Sequence, residues 1–113
     1  MTVPRLNRSL VLEARERVPD GHGGVRTGWR ALGSLWGELK AGAAREAGLG
    51  DLPGTRVQWR ITVRASPEGN LARPVAGQRF AMGARKFRIN AVAEGDIEGR
   101  YLLCHASEEG VRS

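Results

Sequence analysis

Apolar and polar residues alternate with a period of two along most of this chain, the mark of half-buried strands. Leu10, Leu12, Ala14 and Val18 share one face, and Val11, Glu13, Arg15 and Arg17 lie on the largely polar other. Pro19-Asp20-Gly21-His22-Gly23-Gly24 then supplies a turn, because glycine adopts the positive φ values that a reversal requires. Alternation resumes with Val25, Thr27, Trp29 and Ala31 opposite Arg26 and Arg30, so the first thirty residues predict a β-hairpin. The apolar parity shifts at Gly33, where Leu32 and Trp36 take the opposite phase. A bulge there would return both to the interior.

The clearest strand runs from Thr55 to Ala65. Val57, Trp59, Ile61, Val63 and Ala65 face one way, and Arg56, Gln58, Arg60, Thr62 and Arg64 the other. No helix sorts residues in that manner. After a turn at Pro67-Glu68-Gly69-Asn70, three shorter strands are expected around Gln78–Met82, Lys86–Val92 and Arg100–Ala106. The prediction is an all-β fold: a small β-barrel or sandwich of about six antiparallel strands, forming one domain over residues 1–113. One stretch breaks the pattern. Residues 41–54 have no apolar period and are too long for a hairpin loop. Ala43 to Ala47 suit a short helical turn, which Gly42, Gly48, Gly50 and Pro53 would confine.

Composition narrows the function classes. The chain has 113 residues, and its apolar runs are far shorter than the roughly 20 residues a membrane helix needs. Its N-terminus lacks the apolar core of a signal peptide, and one cysteine, Cys104, cannot form an internal disulfide; together these predict a protein made in the cytoplasm. The net charge of +6 comes almost wholly from arginine, the only lysines being Lys40 and Lys86. Such a surface favours anionic partners, although an arginine-, glycine- and alanine-rich composition also follows from a GC-rich genome.

No residue cluster announces catalysis. Cys104 and His105 are adjacent on a strand and so point to opposite faces, which suits neither one metal nor a nucleophile–base pair. His22 sits in a glycine turn. Asp96 and Glu98 could supply oxygen ligands to a cation, but solvated turn residues are the simpler reading. Catalytic and metal-binding residues are therefore expected to be none, with no cofactor. Arg56, Arg60 and Arg64 repeat on one strand face at about 13 Å intervals, as interface or DNA-facing residues would. Cross-strand pairing with Glu13, Glu38 or Glu98 is the favoured alternative. In the 41–54 loop, Lys40 and Arg45 are balanced by Glu46 and Asp51, so it makes a weak electrostatic grip and a better mobile arm.

The order of these features, from Leu6 to about Glu108, resembles the phage head–tail joining family of head-closure or stopper proteins. That family occurs in tailed phages and gene transfer agents. Leu35-Trp36-Gly37-Glu38-Leu39-Lys40 matches the family's tryptophan, small residue and short strand, and Arg45-Glu46 its Arg/Glu-bearing loop. Trp59-Arg60-Ile61-Thr62-Val63-Arg64, Gly77-Gln78-Arg79-Phe80, the strand through Arg85 and Phe87, and Arg100-Tyr101-Leu102-Leu103-Cys104 resemble its later strands. Ala84 departs from the usual glycine, and the stretch after Glu46 is unusually glycine-rich. The resemblance implies a non-enzymatic connector in the neck of a virion or phage-like particle. It would form a homo-oligomeric ring of six or twelve copies between a portal-side adaptor ring and the tail terminator or tail tube. Lys40, Arg45 and Glu46 would then belong to a loop facing packaged double-stranded DNA. Two other readings stay open: a small nucleic-acid-binding β-barrel, and a tail-completion or tail-terminator protein.

Overall fold

The computed structural model describes residues 3–42 and 57–109. Six strands carry the chain: β1 (Arg8–Pro19), β2 (Val25–Ala41), β3 (Gln58–Arg64), β4 (Arg79–Met82), β5 (Arg85–Glu94) and β6 (Tyr101–Glu109). All neighbours are antiparallel, and the order β1-β2-β3-β6-β5-β4 closes into a barrel through β1 and β4. The expected all-β barrel of six strands is what forms. The strand expected from Thr55 starts only at Gln58, with Val57 outside it and exposed. Residues 43–56, which include the predicted helical turn, Arg45, Glu46 and Arg56, lie outside the described residues.

Alternation explains the core. Leu10 and Leu12 of β1, Ile61 and Val63 of β3, Phe80 of β4, Phe87 and Ile89 of β5, and Leu102, Cys104 and Ala106 of β6 all point inward and are essentially sealed from water. Fully burying each large apolar side chain contributes about 1.5–3 kcal/mol. Trp59 seals the wall, its ring edge-on to Phe87 at 6.1 Å, while its Nε1 donates to Glu108 Oε1 at 3.0 Å.

The break in β2 is a bulge, as the parity shift predicted. Leu12 pairs with Gly33 and Glu13 with Ala31, which leaves Leu32 as the extra residue. Gly33 takes φ +150°, a conformation few other residues adopt. Leu32 packs against the core, but Trp36 does not: it is 60% exposed. The expectation that both would turn inward fails because one extra residue realigns Leu35, Gly37 and Leu39 with the interior, and Trp36 alternates with them.

Beyond the bulge the hairpin leaves the barrel. β4 pairs with β1 only from Val11 to Glu13, and β3 pairs with β2 only from Gly37 to Ala41. Ala14–Pro19 and Val25–Arg30 are therefore a two-stranded ribbon, about 20 Å long at the usual rise. At its root, the Arg79 guanidinium lies 4.1 Å from the Trp29 ring centre and its Nε donates to Glu13 Oε1 at 2.6 Å. Arg88 stands 5.4 Å from the same ring, with its Nε 3.1 Å from Glu109 Oε2, a charge contact without hydrogen-bond alignment. Stacking of this kind contributes about 0.5–2 kcal/mol per cation and fastens the ribbon to the β4–β5 wall.

Candidate interaction face

The polar face of β3 looks out of the barrel between β2 and β6, and strand register decides which side chains share it. Lys40, Arg60, His105 and Ala91 stand abreast on β2, β3, β6 and β5. The neighbouring row is Glu38, Thr62, Leu103 and Ala93. One step further, Arg64 lies beside Tyr101, its guanidinium 5.9 Å from the ring centre. Exposed Trp36 adjoins this face on β2. Lys40, Arg60, Arg64 and His105 are all exposed, so a single surface gathers three cationic side chains, an imidazole and the rings of Trp36 and Tyr101.

Among the described residues, neither Arg60 nor Arg64 forms a salt bridge, which overturns for these two the favoured pairing with Glu13, Glu38 or Glu98. Glu13 is taken by Arg79 on the far side of β1. Glu98 pairs with Arg100 at 3.1 Å. Glu38 lies opposite Thr62, between the arginine rows, and its Oε2 accepts from the Arg5 backbone N–H at 3.0 Å. Arg60 instead has Lys40 and His105 as its neighbours. The lateral Lys40–Arg60 like charges destabilise a sheet slightly, and no salt bridge among the described residues offsets them. The Lys40–Arg60 rung is next to last in the β2–β3 ladder, which ends at Ala41 and Trp59.

The groups with reactive potential are otherwise occupied. Burial pushes the Cys104 thiol up to about 12, so it stays protonated and inert, while His105 points outward. Desolvation would raise the Asp96 carboxyl, but the Arg100 guanidinium and the Tyr101 and Arg100 N–H groups outweigh it and hold it below its usual range. Asp96 Oδ1 accepts from Arg100 N at 2.8 Å and Tyr101 N at 3.2 Å, and Oδ2 from Arg100 Nε at 3.0 Å. Its oxygens thus organise a turn rather than a cation. Among the described residues no three acidic, histidine or cysteine side chains cluster as metal ligands would.

Parity marked Arg60, Arg64 and His105 as outward, but it could not reveal that they share rows. That depends on register between β3 and β6, strands far apart in the chain. Exposed Trp36 was missed for the same reason, since the exact residue of the bulge sets its side.

The relation to other proteins is decided over the whole chain. A family model described as phage head completion protein matches residues 1–109. The chain belongs to that family. Among solved structures, a chain of the "virion of native gene transfer agent (GTA) particle" is similar at 50% identity with TM-score 0.80, covering 97% of this chain and 100% of that one. Protein SF1141 from Shigella flexneri 2a, known from a solution structure, shares the fold at TM-score 0.66 and 18% identity, over 99% of this chain and 100% of its own. No curated protein matches.

Proposed function

We propose that this chain is the structural subunit of a connector ring at the head–tail joint of a phage or gene transfer agent particle. Six or twelve copies form the ring, seated between a portal-side adaptor and the tail terminator or tail tube, and help retain packaged double-stranded DNA. The observation that carries this reading is the 50% identity, over 97% of the chain, to a chain of a gene transfer agent virion. Its role is assembly, not catalysis: the sole cysteine is buried and protonated, and Asp96 is spent on a turn. In this reading the cationic Lys40–Arg60–Arg64 face offers a contact to an anionic partner, with Lys40 just ahead of residues 41–54 in the chain.

Gene deletion followed by electron microscopy tests the reading. The expected product is heads without tails and with unstable DNA, restored by the gene in trans; normal tailed particles would overturn it. The basic face also favours a second reading, a nucleic-acid-binding barrel. That reading requires the isolated protein to bind duplex DNA with an affinity that falls steeply with salt, because binding releases counterions from several phosphates. The connector reading requires no such affinity of the isolated subunit, so titration at two salt concentrations separates the two.

A further inference from the structure

The β1–β2 ribbon carries an open strand edge that the barrel does not use. β3 covers β2 only from Gly37 onward, so no described strand lies along Val25–Ala31 on the side away from β1. Exposed edges are normally blunted by charged side chains, proline or a bulge, and on this edge only Arg26 and Arg30 are charged. Here the bulge comes only after Ala31, and the proline, Pro19, belongs to the other strand. Alternate backbone N–H and C=O groups of this stretch therefore face outward as a template for another strand.

Charge selects the occupant. Arg26 and Arg30 share one face of the edge strand; among the described residues Arg26 forms no salt bridge, and Arg30 reaches only Glu16, at 3.4 Å in an exposed pair. A second copy is disfavoured. Antiparallel self-pairing about Gly28 would oppose Arg26 with Arg30 of the second copy, and parallel self-pairing would align Arg26 with its own counterpart. DNA is disfavoured too, because phosphates offer no donors to the outward carbonyls, and Val25 adds 55% exposed apolar surface. We infer that the Val25–Ala31 edge accepts an extended segment of a partner protein bearing acidic residues at alternate positions, by strand addition. This rests on the connector reading, since the partner belongs to the same particle.

The test uses assembled particles. Hydrogen exchange at Val25–Ala31 is expected to slow at least tenfold in the particle relative to the free protein. A photo-reactive residue in place of Thr27 is expected to cross-link to an extended acidic segment of another protein. The double reversal Arg26→Glu, Arg30→Glu, on the face that the alternate acids would meet, should remove most of that protection, with circular dichroism of the free variant verifying its fold. Unchanged exchange in particles that contain the chain overturns the inference and leaves the connector reading standing. Cross-linking to a second copy or to DNA overturns it as well, as does protection that survives the charge reversal. Absence of the chain from the particles sinks both.

Discussion

Gly37 shows how far one residue explains a motif. It is buried on β2, and a Cβ there would lie 2.7 Å from Leu10 Cδ1, 3.2 Å from the Thr62 carbonyl oxygen and 3.3 Å from Val63 Cγ1. The small residue after Trp36 is required because β1, β2 and β3 converge at this point of the core. Gly37→Ala is expected to lower stability by about 1–3 kcal/mol through overpacking, measured as a shift in the urea midpoint. Cys104 makes the complementary case. Its thiol is raised to about 12 when folded, against 9.0 for the free group, so its contribution is complete below pH 9 and is lost as pH rises toward 12. Folded protein is expected to resist iodoacetamide at pH 8.5, with rapid labelling only in denaturant. Fast labelling of the native protein would show that the last strand opens. The sequence made Cys104 legible as buried, since alternation on β6 is regular, whereas the crowding around Gly37 depends on three strands meeting.

At the scale of elements, regular strands could be read directly and irregular ones could not. Ile61 and Val63 alternate without interruption, so their burial follows from parity alone. β2 holds a bulge whose extra residue is Leu32, and an error of one position inverts every side chain after it, as Trp36 demonstrates. Partnership between strands was equally hidden. Glu108 on β6 accepts from Arg85 of β5 at 2.8 and 3.1 Å and from Trp59 of β3 at 3.0 Å, joining three strands that sequence spacing does not bring together. The Arg85 hydrogen bonds, with help from Trp59, outweigh desolvation and hold the Glu108 carboxyl below its usual range. A lowered folded pKa means that the stabilisation is present above the unfolded value and is lost as pH falls through the folded one. Glu108→Gln is expected to cost about 1–2 kcal/mol at pH 7, discounted because Arg85 is partly exposed. The cost should shrink as pH falls below the ordinary carboxylate value of 4.5, which denaturant melts at successively lower pH would measure. A cost independent of pH would mean that packing, not charge, holds the three strands.

For the whole molecule, the question is why a barrel keeps cations where they do not stabilise it. Lys40 and Arg60 share a row with His105, and the acids that sequence reading offered as partners are engaged elsewhere. If the row served the fold, removing a member would weaken it; if it serves an anionic neighbour, removal would relieve repulsion in the free protein and harm only the assembly. Arg60→Gln is therefore expected to leave the isolated protein unchanged or more stable by up to about 0.5 kcal/mol at low salt. The gain should vanish near 1 M salt, where the screening length falls to about 3 Å. Particles built with the same variant should retain less DNA, or assemble less often, than those built with the native chain. A stability loss above about 1 kcal/mol would instead place Arg60 in an internal ion pair. The two measurements are opposed by construction: a residue retained for assembly costs the free subunit a little, and a residue retained for folding costs the particle only through its folding.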